Sequence, residues 1–342
     1  VEYRFLGRTG LRVSELALGT MTFGGTGSRF FEGVGGVDQA DAQKMVDLAL
    51  DHEINLIDTA DVYSRGVSEQ MLGRALKGKR DKAIIATKFH GRMSDDPNDL
   101  GQSRHHIIRS CEASLRRLDT DHIDLYQIHG FDAYTDWQES LGALTDLVRQ
   151  GKVRYIGCSN LSAWQLMKAL AVSERHLLSR FACLQANYSL VARDAEHELL
   201  PLCADQQLGF LVWSPLAGGY LTGKYDPTGG PSQPGRRAAV GDPGTIDEDH
   251  GRRVLATMRE IAAARAASVS QVALNYLRAK PTVTAVLIGA RTIEHLEDNL
   301  KAAAWSLSAD EVRALDDVSE RPLPYPYWHQ RQYNASRYRQ TA

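Results

Sequence analysis

Residues 55–63 read NLIDTADVY. Leu56 and Ile57 are apolar and suit a short parallel strand covered on both faces. The run then turns polar, with acids at Asp58 and Asp61 and a phenol at Tyr63. A carboxylate closing a buried strand, with a tyrosine on the loop beyond it, is an unusual place for polar groups. In a closed parallel α/β barrel, that end of the strand is where chemistry is done. The simpler alternative has Asp58 capping the next helix and Tyr63 covering a core edge. The choice turns on whether other strands end the same way.

Working outward, residues 3–14 predict a β-hairpin around Gly7-Arg8-Thr9-Gly10. A buried strand follows at 16–19 (LALG), and then a glycine-rich stretch, 24–36, expected to be a mobile surface loop walling a site. That stretch has neither the GxGxxG spacing nor the strand–turn–helix setting of a dinucleotide fingerprint. An alternation then begins. Strands are expected at 55–58, 83–88, 123–129, 153–159, 184–187, 210–214 and 283–288. Helices are expected at 38–52, 68–76, 103–118, 136–149, 162–172, 195–205, 248–264, 270–278 and 293–302. A further helix is expected at 308–318, where Ser308 and Glu311 have capping-box spacing. A long Gly-, Pro- and Arg-rich loop, 216–245, follows the seventh strand counted from Leu16.

Eight strands, nearly all separated by helices, predict a (β/α)8 TIM barrel. The expected organisation is one domain over 1–342: hairpin 1–15, barrel 16–302, and a C-terminal helix with an aromatic tail, 303–342. A doubly wound open sheet would need a switch point and usually a phosphate fingerprint on its first βα turn.

With 342 residues, 43% hydrophobic and 24% charged, the chain has an ordinary globular composition. A net charge of -2 gives no reason to expect a nucleic-acid or membrane-surface partner. Cys111, Cys158, Cys183 and Cys203 show no CxxC spacing and form no zinc pattern with histidine. They read as reduced core residues of a cytoplasmic protein, and no signal peptide is legible. No metal is expected.

The strand ends answer the opening question. Asp58 ends the second strand, Lys88 the third and His129 the fourth, and all would converge with Tyr63 on one barrel mouth. A solvated lysine and a satisfied histidine are the ordinary readings of each alone. Together they form a proton-transfer unit. A free tyrosine has a pKa of about 10, and an adjacent ammonium would draw it toward neutral. Asp58 would hold Lys88 charged, and His129 can donate a hydrogen bond to a carbonyl oxygen.

GLRVSELALGTMTFGG, NLIDTADVYSRGVSEQMLGRAL, IIATK, DLYQIH, IGCSN, LQANYSL, WSPLAGGYLTGKY and IGARTIEHLEDN together resemble the aldo-keto reductase family. The likeness runs from the hairpin to the helix ending near Val318. In style it is closer to the bacterial and potassium-channel β-subunit branch than to the mammalian aldose reductase branch. The resemblance implies a barrel that reduces carbonyls with NAD(P)H, with Asp58, Tyr63, Lys88 and His129 as the catalytic tetrad and Tyr63 as the acid.

It also implies a cofactor site. Ser159, Asn160 and Gln185 would bind the nicotinamide carboxamide, and Trp213 would stack on its ring, followed by Ser214, Pro215 and Leu216. Gly218, Leu221 and Lys224 would form the pyrophosphate loop, with Thr20, Met21 and Asp58 approaching from the first two strands. Gly289, Arg291, His295, Asp298 and Asn299 match the adenosine end; His295 stands where glutamine is often found. A helix N-terminus after the last strand is independently a phosphate site. Arg291 could pair bidentately with a 2′-phosphate, favouring NADPH. Arg236 or Arg237 would clamp the phosphate from the long loop.

The substrate would be a small carbonyl compound, lined by Phe23, Phe30, Phe31, His90 and Phe131 beside Tyr63 and His129. The tail 321–342 could fold over the mouth, cover the barrel side or mediate self-association. Two rival classes remain in view. One is a regulatory NADPH-binding protein with little turnover. The other is a metal-dependent hydrolase, which would need a His/carboxylate ligand set.

Overall fold

The structure is a computed structural model that describes residues 1–338 apart from 26, 28, 227–229 and 232–245. It opens with β1 (Tyr3–Phe5) and β2 (Arg12–Ser14), an antiparallel hairpin with Tyr3 opposite Ser14. Then come β3 (Leu16–Gly19), β4 (Leu56–Asp58), β5 (Ile84–Phe89), β6 (Ile123–Ile128), β7 (Val153–Ser159), β8 (Cys183–Asn187) and β9 (Gly209–Trp213). A two-residue pair, β10 (Tyr225–Asp226) and β11 (Gly230–Pro231), precedes β12 (Val283–Ile288). Strands β3 to β9 run in chain order and β12 closes the ring between β9 and β3, all parallel. The fold is a TIM barrel.

Strand after strand is apolar on both faces. Ile57, Ile85, Tyr126, Ile156 and Val212 pack outward against the helices. Their alternates Leu56, Ala86, Leu125, Cys183 and Leu211 fill the barrel with Ala17 and Ala285. The two-residue period of a strand sends the next inward position, one layer higher, to Asp58, Lys88, Gln127 and Gln185. A buried polar layer thus rests on a dry apolar one.

The hairpin closes the opposite end. Leu6 and Val13 join the inner apolar cluster. Glu15, fully buried, takes Arg278 at 2.6 Å and Arg4 at 3.0 Å. Asn55 accepts from the Ser14 N–H and donates to the Arg12 carbonyl, tying hairpin to β4.

Two expectations are corrected. The glycine-rich stretch 24–36 holds a helix, Arg29–Val34, and is pinned at its base. The Gly24 N–H donates to Val37, the Gly36 N–H to Gly24, and the Gly25 N–H to Ser64 Oγ. At Gly35 an added Cβ would lie 2.5 Å from the Gly25 Cα, so the close approach of these two segments requires glycine. The helix expected over 195–205 is split into a short 3-10 turn, Asp194–Glu196, and a helix, Leu199–Asp205. Pro201 has no N–H with which to continue a helix from upstream, so it sits in the first turn of a new one. The tail, for which no element was expected, forms a helix, Tyr327–Tyr338.

The helix Ala309–Ser319 has the expected capping box at Ser308 and Glu311. Arg193 donates to the Asp316 carbonyl at 2.9 Å and to Ser319 Oγ at 2.8 Å, fixing that helix to the loop after β8. On the same loop, Tyr327 stacks on His197 and donates to Glu198 at 2.5 Å. Glu198 immediately precedes the helix after β8, so the tail's contact is with the mouth end of the barrel. No helix among the described residues is long and apolar enough to cross a membrane.

Candidate active site

The polar layer centres on Lys88, whose side chain is wholly buried at the end of β5. Its Nζ contacts Asp58 Oδ1, the Thr59 carbonyl at 2.9 Å and Tyr63 Oη at 3.3 Å. Asp58 Oδ2 accepts from Gln185 Nε2 at 2.8 Å and Gln127 Nε2 at 3.1 Å. The carboxylate is therefore held through both of its oxygens. Burial works against the Lys88 charge, but the Asp58 carboxylate and the Tyr63 oxygen outweigh it and hold its pKa above the usual lysine range.

Tyr63 begins a single turn, Tyr63–Gly66, in which Ser64 and Arg65 are left-handed. Gly66, at φ +87°, comes so close to Arg117 that an added Cβ would lie 2.6 Å from its Cδ. Arg117 in turn pairs with buried Glu69, which also accepts from Thr87 on β5. The loop carrying the phenol is thus tied to both the barrel and its helix layer. Phe31 and His129 flank the Tyr63 ring at centroid distances of 6.2 and 5.9 Å.

His129 follows β6 directly, and its N–H donates to the Phe89 carbonyl. Burial, then the Lys88 and His90 charges, push its imidazole well below the ordinary histidine pKa. The ring is neutral, so it offers one N–H donor and no acidic proton. The arrangement can donate to, and protonate, an oxygen placed between Tyr63 and His129.

Beside this, Asn160 (φ +56°) donates to the His129 carbonyl at 2.9 Å and accepts from Trp213 Nε1 at 3.0 Å. Trp213 is half-buried, its indole fixed at the end of β9. Ser159 Oγ donates to the Gln185 carbonyl at 2.9 Å. The loop after β9 is tightly wound. Ser214, Ala217, Gly218 and Gly219 all have positive φ, the Gly218 N–H donates to Ser214 Oγ, and the Leu221 N–H donates to the Leu216 carbonyl. Pro215 and Leu221 are buried, with Leu216 half-buried. Lys224 Nζ lies 3.4 Å from His295 Nε2. Burial, then Lys224, lower the His295 pKa, which keeps the ring neutral and able to accept from the ammonium. Gly289 and Arg291 are exposed before the helix Ile293–Leu300, whose N-cap Thr292 accepts from the His295 N–H.

Thr20 is buried, hydrogen-bonded to the Asp58 carbonyl and Ser68, and Met21 is half-buried beside it. Some expected residues are set differently. Phe23 is fully buried in the core, so it backs the wall and presents no surface to a ligand. Asp298 has both oxygens engaged, by Ser268 and Gln271 at 2.7 Å each, and Asn299 is buried. Phe131 is half-buried against Trp137 and Trp164. Arg236 and Arg237 lie outside the described residues.

Sequence reasoning missed Gln127 and Thr59. Gln127 had a signal: it is the one amide in the otherwise apolar inward face of IDLYQI. Thr59 acts through its carbonyl, which no side-chain pattern reveals. Among the described residues no group of three or more His, Cys, Asp or Glu side chains is arranged to hold a metal ion.

Residues 15–320 match the model of the aldo/keto reductase family. Uncharacterized oxidoreductase YrpG of Bacillus subtilis is 40% identical, covering 94% of this chain and 97% of its own. A norsolorinic acid reductase of Aspergillus flavus is 32% identical over 93% of this chain and 80% of its own. A probable voltage-gated potassium channel subunit beta of Arabidopsis thaliana is 33% identical over 88% and 91%. By family model and by relatives spanning nearly its whole length, this chain belongs to the aldo/keto reductase family.

Proposed function

We propose that the protein reduces aldehydes or ketones to alcohols using NADPH, with Tyr63 as the general acid. The observation that carries this reading is the Lys88 ammonium held between the Asp58 carboxylate and the Tyr63 oxygen. When Tyr63 releases its proton to the substrate oxygen, the charge left on the phenolate lies beside a cation that cannot move away. His129, neutral, steadies the same oxygen with its N–H. Both donors lie over the polar layer, so charge developing on that oxygen meets fixed dipoles and not reorganising water.

The residues around this pair fit a nicotinamide dinucleotide. Asn160 pins the Trp213 indole upright at the strand end, where it can take a flat ring against its face. Asn160 keeps one amide proton, and Ser159 Oγ and Gln185 Oε1 keep acceptor capacity toward a carboxamide. The positive-φ turn at 217–219 lets backbone approach a phosphate closely. Lys224, Arg291 and the N-terminus of helix Ile293–Leu300 offer positive potential at the far end. Arg291, with its forked donors, favours a 2′-phosphate and hence NADPH. The bound cofactor supplies the hydride; the protein supplies orientation and the proton.

A substrate with an aromatic body fits the walls, since Phe31 stands beside Tyr63 and Phe131 at the rim. A regulatory, slowly turning-over NADPH-binding protein is the second reading, favoured by the likeness to the channel subunit. NADPH consumption with an aromatic aldehyde such as 4-nitrobenzaldehyde, measured for the native chain and Tyr63→Phe, separates the two. Turnover that falls about 100-fold or more in the variant supports the reductase, the lower bound for a lost general acid. Tight NADPH binding with no turnover of any carbonyl supports the regulator. Failure to bind either nicotinamide cofactor overturns both.

A further inference from the structure

At the end of the barrel away from Tyr63, where β7, β8 and β9 begin, lies a cleft of about 350 Å³. Arg8 on the hairpin turn, Arg154 on β7 and Arg180 just before β8 line it, with Gln207 beside them and Tyr155 and Phe181 as an apolar floor. Among the described residues no carboxylate lines it. The acids within electrostatic reach stand outside: Glu174 acts on Arg180, and Arg154 acts on Asp121.

Two of the three cations, Arg180 and Arg154, are held by neutral partners. Arg180 Nη2 donates to the Gln206 carbonyl at 3.1 Å and to its side-chain oxygen at 2.8 Å, while Nη1 is buried with no partner. Arg154 Nη1 donates to the Gly151 carbonyl at 3.1 Å, and Arg8 is tied to this end through its backbone, whose N–H donates to the Gln207 carbonyl at 2.9 Å. Burial, then the like charge of Arg8, work against the Arg180 cation, and Glu174 only partly offsets them. A part-buried guanidinium with a like-charged neighbour is costly unless a counter-charge arrives.

A second arginine cleft shows what the ordinary arrangement looks like. Arg74, Arg116 and Arg117 line a cleft of about 430 Å³ between two helices. All three lie in the last turns of those helices, where a cation complements the dipole, and Arg117 is paired with Glu69. Neither explanation is available to Arg8, Arg154 or Arg180, none of which lies in a helix.

We propose that this cleft at the closed end of the barrel is a binding site for a small phosphate-bearing anion. Forked guanidinium donors match phosphate oxygens bidentately, and three of them suit a charge of two or more. The Tyr155 and Phe181 floor gives room for a small organic group behind the phosphate. The assignment is independent of what is reduced at the other end.

The test is calorimetric titration of the full chain with inorganic pyrophosphate, at low and high salt. Because the proposed cofactor site also attracts phosphate, Arg291→Gln is titrated in parallel. The expected result is salt-sensitive binding that persists in Arg291→Gln and is about tenfold weaker or more in Arg154→Gln and in Arg180→Gln, the loss of one charge-assisted contact. Arg154 is exposed, so its variant keeps the test valid if Arg180→Gln fails to fold. Absence of binding at millimolar pyrophosphate, loss of binding in Arg291→Gln, or unchanged affinity in Arg154→Gln would each overturn the proposal. Malonate titrated in place of pyrophosphate should bind more weakly; equal affinity would overturn the phosphate assignment.

Discussion

Lys88 Nζ lies 3.3 Å from the Tyr63 hydroxyl oxygen and 5.0 Å from the centroid of its ring. The ammonium is therefore beside the phenol's oxygen edge, where it stabilises negative charge on that atom. Its other contacts, Asp58 and the Thr59 carbonyl, are acceptors too, so it has no alternative position to relax into. Replacing Lys88 with Met removes the cation while keeping much of the volume. Carbonyl reduction should fall about 100- to 10,000-fold, the range for a disabled general acid, while NADPH affinity changes only a few-fold. Steady-state kinetics and a direct binding titration check this. The variant should also lose about 3–5 kcal/mol of stability, because Asp58 remains buried without its counter-charge. Near-native turnover in a folded Lys88→Met chain would remove Lys88 from the proton-transfer unit.

The depressed pKa of His129 fixes its role. An imidazole kept neutral by burial and by Lys88 donates one hydrogen bond across the whole physiological range. The pH profile of kcat/KM for reduction should therefore show no inflection near the free-histidine value of about 6.5. His129→Gln, which keeps an N–H donor, should retain more activity than His129→Ala and leave the profile's shape unchanged. An inflection near 6.5 that disappears in His129→Gln would mean that the ring is charged during turnover. The same depression has a stability consequence. The unfolded chain takes up protons at His129 first, so this contribution is present above about pH 6.5 and is lost on acidification below it.

How far the sequence reached is clearest in the polar layer itself. Asp58, Lys88 and His129 were legible because each lies at or just beyond the C-terminal end of a strand, and those ends converge in a parallel barrel. The two-residue period puts Gln127 in the same layer, but one amide in an apolar strand looks like an isolated exception until its partner, Asp58, is in view. Phe23 was misread for a related reason. Sequence locates it on the loop after the first barrel strand, yet its bridge to Val37 turns the ring inward. Asp298 follows the same pattern. It lies on the last helix of the motif, and its oxygens are taken by Ser268 and Gln271 from the neighbouring helix. Nor could sequence show that the glycine-rich stretch is pinned by its own backbone and by Ser64. Those bonds depend on which segments meet, not on local propensity.

Asp61 remains, two residues before the phenol in the stretch that decided the fold. It is fully buried, and no side chain hydrogen-bonds either carboxyl oxygen, while its N–H donates to the Lys88 carbonyl. Burial, then the neighbouring Glu69, raise its pKa well above the usual range against the weaker pull of Arg117, the Val62 N–H and Lys88. A raised carboxyl makes the folded chain hold a proton that the unfolded chain releases. Native stability therefore falls as pH rises from about 4, the free aspartate value, toward the folded-state pKa. Asp61→Asn keeps the shape and removes the titration. Its unfolding free energy should exceed that of the native chain by an amount that grows between about pH 4 and neutrality, reaching roughly 1–3 kcal/mol, the scale of an unpaired buried polar group. Thermal unfolding of both chains across that range decides it. A constant difference, or an asparagine variant less stable at neutral pH, would mean that Asp61 is ionised and matched by a charge in the folded protein.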